Sequence, residues 1–107
     1  MKLAQHVTMD LFGVKKRINS IKNIMQIIER QNKLTHTSLI STQNCVVYLY
    51  KWGHIIIYSY PGQSMVSIDI FSSLCSIKTG VLRKVMLDIF EPYKYEENEF
   101  TRTIGNV

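Results

Sequence analysis

The chain has 107 residues, 46% of them hydrophobic and 20% charged, and a formal net charge of +5. That is enough for one domain, spanning residues 1–107, with its own core, and too rich in apolar and aromatic side chains for a disordered tail. The positive charge admits nucleic acid, an anionic membrane or an anionic small ligand, but Lys15, Lys16 and Arg17 form the one basic run and no zinc-finger, recognition-helix or arginine-rich pattern accompanies them, so no nucleic-acid partner is expected.

Residues 4–12 alternate, with Val7, Met9 and Leu11 on one face and His6, Thr8, Asp10 and Phe12 on the other, the period of a half-buried strand that Gly13 ends. Between residues 18 and 31, Ile18, Ile21, Ile24, Met25 and Ile28 recur at three- and four-residue steps and predict a helix, with Lys22, Gln26, Glu29 and Arg30 outside the stripe. Residues 35–42 read as a weaker strand. Asn44 is a turn residue before the β-forming run 46–52.

After Gly53, residues 54–60 put His54, Ile56, Tyr58 and Tyr60 on one face and Ile55, Ile57 and Ser59 on the other, until Pro61 and Gly62 turn the chain. Residues 65–71 form a further strand with Val66, Ile68 and Ile70 inward and Ser67 and Asp69 opposite. A second helix follows, capped by Thr79 or Ser76, with Val81, Leu82, Val85, Met86 and Ile89 as its apolar stripe. Pro92 closes it, and residues 95–103 add an edge strand. The order β-α-β-β-β-β-α-β predicts an α+β sandwich with a mainly antiparallel sheet and both helices on one face.

The other sheet face needs its own cover. Tyr48, Tyr50 and Trp52, with Tyr58 and Tyr60 of the next strand, are expected to gather on one side of the sheet, as an interface between copies or as a ligand platform. Cys45 and Cys75 lie far apart with no metal or disulfide spacing, and His6 and His36 have none either, so reduced cysteines and no metal are expected. The polar residues His6, Thr8 and Asp10 interrupt the N-terminal segment, and the expectation is a cytoplasmic protein without a membrane span.

The run Gly53-His54-Ile55-Ile56-Ile57-Tyr58-Ser59-Tyr60-Pro61, followed by Ser67-Ile68-Asp69-Ile70-Phe71, resembles the signature of bacterial S-adenosylmethionine decarboxylase proenzymes, Ser-His-x-x-x-His-Thr-x-Pro and then Asp-x-Phe-x-Cys. The opening strand from His6 to Gly13 is similar to that family's first strand, His-x-x-x-Asp-Leu-x-Gly. The resemblance spans roughly residues 5–103 and implies the family's α/β sandwich. It also implies a serine that cleaves the chain and becomes a pyruvoyl group, the electron sink for decarboxylation. Here that position is Gly53, which has no side-chain oxygen with which to start the acyl shift. The family's second histidine is Tyr58, its cysteine is Ser73, its auxiliary serine is Cys45, and its glutamate after the proline is Gly62. Ser59 and Ser64 stand nearby, but neither follows a glutamate as the cleavage serine does.

Three readings remain open. In the first, the protein is a cofactor-free lyase acting on S-adenosylmethionine or an adenylylated form of it, comparable in activity to small lyases of phages and bacterial antiviral defence. The substrate's own carboxylate displaces the sulfonium, giving a methylthioadenosine-type product and homoserine lactone. The residues assigned to catalysis are Tyr58, Asp69 and His54, and those assigned to the ligand are Asp10, Tyr48, Tyr60 and Lys51, the last for an added phosphate. Each has a structural alternative: hydrogen-bonded or paired carboxylates for Asp10 and Asp69, interface packing for Tyr58, a hydrogen-bonded imidazole for His54 and an exposed strand lysine for Lys51. In the second reading, an inactive paralogue binds the ligand or an active decarboxylase subunit. In the third, an interaction module has kept the sheet and lost the pocket. A homo-oligomer, dimer or trimer, with the site at its interface suits the first reading.

Overall fold

Six strands and two helices follow one another as β1 (Lys2–Phe12), α1 (Ile21–Asn32), β2 (Ser38–Ser41), β3 (Cys45–Tyr50), β4 (Gly53–Tyr60), β5 (Met65–Ser72), α2 (Thr79–Phe90) and β6 (Lys94–Ile104), in a computed structural model that describes residues 2–15, 21–73 and 79–104. The strands form one sheet in the order β2-β3-β4-β5-β1-β6, and every neighbouring pair is antiparallel. The expected α+β architecture is present, with β6 at an edge. Ile18, the predicted start of the first helix, lies outside the described residues, as do Lys16, Arg17, Cys75 and Ser76.

Alternation decides which face of each strand is buried. Val7, Met9 and Leu11 of β1, Ile55 and Ile57 of β4, and Val66, Ile68 and Ile70 of β5 form one continuous core with Ile21, Ile24, Met25 and Ile28 of α1 and Leu82, Met86 and Phe90 of α2. Both helices therefore cover the same side of the sheet. The stripe of α2 is rotated from the one expected: Val81 is 49% exposed, whereas Phe90 is fully buried. Thr79 is the first helical residue, and its hydroxyl donates to Gln5 Oε1 at 2.9 Å.

The expected gathering of aromatic residues on one side is corrected by the register of the β3–β4 hairpin. Tyr48 faces Ile55 and Tyr50 faces Gly53, so both point into the helix-covered core with Trp52, while Tyr58, paired with Cys45, lies on the open face with Tyr60. The hairpin turns on Lys51 and Trp52, two residues that were expected to continue the strand.

On the covered side, Glu29 of α1 joins the helix to the sheet. Its carboxylate accepts from the Tyr50 hydroxyl at 2.8 Å and lies 2.9 Å from His36 Nδ1, and Tyr50 stacks on Trp52 with ring centroids 4.5 Å apart. Burial first, then the hydrogen bond and charge of Glu29, push the Tyr50 phenol far above its ordinary value. Burial and the same carboxylate also raise Tyr48.

Candidate functional site

The open face is a grid set by strand register. One row across the sheet reads Leu49, His54, Phe71, His6 and Phe100; the next reads Val47, Ile56, Asp69, Thr8 and Asn98; the third reads Cys45, Tyr58, Ser67, Asp10 and Glu96. Successive rows are two residues apart along a strand, a step of about 7 Å. Sequence alone places His6 and His54 in unrelated strands. Insertion of β5 between β1 and β4 sets them on either side of Phe71, with Asp69 one row away.

These three polar side chains converge. Asp69 Oδ1 lies 2.8 Å from His6 Nε2 and 2.9 Å from His54 Nε2. A carboxylate oxygen only accepts, so each imidazole donates its Nε2 proton to it. The rings are held from the side by Phe71, stacked on His54 at 5.7 Å and edge-on to His6 at 5.8 Å, and by Phe100 at 6.1 Å from His6. Among the described residues Asp69 is thus a hydrogen-bonded carboxylate partnered by two histidines, on a strand inside the sheet. His6 was set aside in the sequence for want of metal spacing and was given no site role. Among the described residues, His6, His54 and Asp69 are the one group of such side chains whose donor atoms all come close enough, within 4.8 Å, to hold a metal ion.

One row further on, Asp10 Oδ1 accepts from the Ser67 hydroxyl at 2.7 Å. Tyr58, on the far side of Ser67, is exposed, and the neighbouring Cys45 thiol, by its charge when ionised and by a hydrogen bond, raises the phenol above its usual value. Tyr60 occupies a fourth row with Met65, Phe12 and Lys94, about 20 Å along β4 from His54. Lys51 stands exposed at the hairpin tip, at the His54 end of the strand. Tyr48, assigned to the same ligand from sequence, is separated from all of these by the sheet itself.

The position of the expected cleavage serine is closed. Gly53 has φ +155°, and a Cβ built on it would lie 1.9 Å from the carbonyl oxygen of Phe71. A glycine lets the β4 and β5 backbones approach this closely; any other residue overlaps Phe71. Ser73, where the resemblance implies a cysteine, is bound to the other side of the same turn, its hydroxyl donating to the Trp52 carbonyl at 2.9 Å and its backbone N–H to the same oxygen at 2.7 Å. The residues present therefore do not fit a pyruvoyl group, either as its source or as its surround.

A cavity of about 1020 Å³ opens elsewhere, lined by Val14, Lys22, Asn44, Cys45, Ser59 and Ser64 among others, at the end of β4 away from Gly53. It contains none of Asp10, His54, Tyr58, Asp69 and His6. The convergent polar groups stand on the open face, opposite which the described residues build no wall, and we place the candidate site there because chemistry needs the groups before it needs the hollow. Among the described residues no helix is long and apolar enough to cross a membrane.

Comparison with known proteins agrees with this architecture. No curated protein matches the chain. Among solved structures, it is similar to the adenosylmethionine decarboxylase of Aquifex aeolicus VF5, with a TM-score of 0.81, 20% sequence identity, and coverage of 98% of this chain and 94% of that one. The family model described as S-adenosylmethionine decarboxylase matches residues 5–103. The chain therefore belongs to the S-adenosylmethionine decarboxylase family, as a diverged member in which glycine occupies the place of the pyruvoyl-forming serine.

Proposed function

We propose that the protein binds a sulfonium nucleoside of the S-adenosylmethionine type on the open face of its sheet and cleaves it between carbon and sulfur, without a pyruvoyl group. The observation that carries this reading is the pairing of a closed position 53 with an intact polar cluster beside it. The electron sink for decarboxylation has no source, while His54 and Asp69 stay convergent with Tyr58 nearby.

The reaction needs no electron sink. An oxygen of the substrate's own carboxylate bonds to the carbon attached to sulfur, the carbon–sulfur bond breaks, and its electron pair neutralises the sulfonium. The products are a methylthioadenosine-type thioether and homoserine lactone, and the step itself moves no proton. Holding the methionine arm folded supplies the acceleration. Positive charge on sulfur disappears in the transition state, so a carboxylate against the sulfur would stabilise the ground state more. Asp69 is accordingly the anchor for the substrate ammonium, His54 the donor to its carboxylate, and Tyr58 the neutral neighbour of the sulfonium, its hydroxyl holding the methionine arm in the folded geometry. Tyr60 is the stacking partner for adenine, Asp10 a second carboxylate for the nucleoside, and Lys51 the cation for a phosphate in an adenylylated ligand.

The open face also exposes Ile40, Leu49, Tyr58, Tyr60 and Phe100, an apolar surface that needs cover. A second copy of the chain would exclude water from the site, placing it at the interface of a homo-oligomer. The free Cys45 is in keeping with a reducing, cytoplasmic setting. The same exposed surface favours one other reading, in which this chain is an inactive paralogue that docks on an active decarboxylase subunit.

Incubation of the pure chain with S-adenosylmethionine, and separately with its adenylylated form, followed by chromatography, tests the proposal. Methylthioadenosine-type products support it. Binding without products overturns cleavage and favours the paralogue, and absence of both overturns a nucleoside site on this chain.

A further inference from the structure

We infer that His6, His54 and Asp69 form a binding site for a divalent first-row transition-metal ion on the open sheet face. Three neighbouring strands, β1, β4 and β5, supply one donor each, and both Nε2 atoms aim at the same carboxylate oxygen from 2.8 and 2.9 Å. Ligands bound facially to one ion at about 2.0–2.2 Å stand about 3.0–3.4 Å from one another. The two nitrogen–oxygen separations are already close to this range, and all three donors lie within 4.8 Å of one another. Small rotations of two rings, with each neutral imidazole carrying its single proton on Nδ1 rather than Nε2, therefore let a cation take the place of the two shared protons.

The chemistry of the set selects the ion. Two neutral imidazoles with one carboxylate suit zinc, cobalt, nickel or ferrous iron rather than magnesium or calcium, which favour oxygen ligands throughout. The supporting shell is present: Phe71 packs on both rings and Phe100 on His6, so the donors are held before an ion arrives. The side chains are 20% exposed for His6, 30% for His54 and 33% for Asp69, which leaves an entry path and open coordination positions toward the face. The ion would be held by side chains projecting from the middle of three paired strands, a more rigid base than a loop.

This site goes beyond the sulfonium reading and does not rest on it, since the donors converge with no nucleoside present; it draws on the same His54 and Asp69, so an ion there takes the place of the substrate ammonium rather than adding to it. The test uses the metal alone. Titration of the full chain, freed of any histidine tag, with zinc or cobalt should bind about one ion per chain and raise the melting temperature by mass action. Cobalt should give visible d–d absorption without sulfur-to-metal charge transfer. His6→Ala, His54→Ala and Asp69→Asn should each weaken affinity more than about tenfold, whereas His36→Ala should leave it unchanged. Should those variants misfold, paramagnetic broadening by cobalt in the unaltered chain is expected at the imidazole signals of His6 and His54 and not at His36. Binding that survives His6→Ala, a thiolate charge-transfer band, broadening centred on His36, or no binding at all would overturn the assignment. None of these results depends on whether the chain turns over S-adenosylmethionine.

Discussion

Gly53 and Phe71 touch in a way that only glycine permits: a Cβ on residue 53 would sit 1.9 Å from the Phe71 carbonyl oxygen, at a φ of +155° that side-chain-bearing residues rarely adopt. The loss of the pyruvoyl precursor is thus built into the pairing of β4 with β5 and goes deeper than one missing hydroxyl.

Gly53→Ser should therefore not restore self-cleavage. Backbone strain at such a position costs about 1–3 kcal/mol, and displacement of the Phe71 carbonyl adds to it. Chemical denaturation should show that loss, and intact-mass measurement should show one uncleaved chain. Two fragments would mean that the position is open.

In the lyase reading, Tyr58→Phe and Asp69→Asn should each lower turnover by more than about tenfold, a loss of about 1.4 kcal/mol or more in transition-state stabilisation. Tyr58 is exposed on the open face, so its variant should keep the melting temperature of the parent chain. Full activity in both variants would remove these residues from the site.

The Glu29–Tyr50 contact predicts an alkaline dependence of stability. The Tyr50 phenol is raised in the folded chain, so the protonated form is favoured there. Its stabilising contribution is fully present below the unfolded phenol value of about 10 and is lost as pH rises beyond it. Tyr50→Phe should cost about 2 kcal/mol near neutral pH, the scale of a hydrogen bond to a charged group, and should flatten the fall in stability above about pH 10. Urea midpoints measured across that range check the sign.

The phase of α2 is open to a similar test. Phe90→Ala, at a fully buried position, should cost about 3–5 kcal/mol, whereas Val81→Ala, at a half-exposed one, should stay within about 0.5 kcal/mol. Equal effects would restore the stripe read from the sequence.

Much of this was legible in the chain because alternation at period two marks buried faces reliably. Val7, Met9 and Leu11 pointed inward as expected, and so did Ile55 with Ile57 and Val66 with Ile68 and Ile70. Parity across a hairpin is another matter. Whether Tyr48 shares a side with Tyr58 depends on the turn at Lys51 and Trp52, and one more residue there would have moved the two onto the same face. Phe90 was missed because a stripe read near a helix end can be rotated by the tertiary contacts of the last turn. His6 was missed for a third reason. Its partners are 63 and 48 positions away in sequence, through Asp69 and His54, and only the strand order β4-β5-β1 brings them together.

The most direct measurement of the central claim is an amide chemical-shift titration of the isotope-labelled chain with S-adenosylmethionine and with methylthioadenosine. Saturable shifts should concentrate at residues 6–10, 54–58 and 67–71, on the strands that carry the polar cluster. Shifts gathered instead around Val14, Lys22 and Ser64, or no shifts at millimolar ligand, would contradict the account.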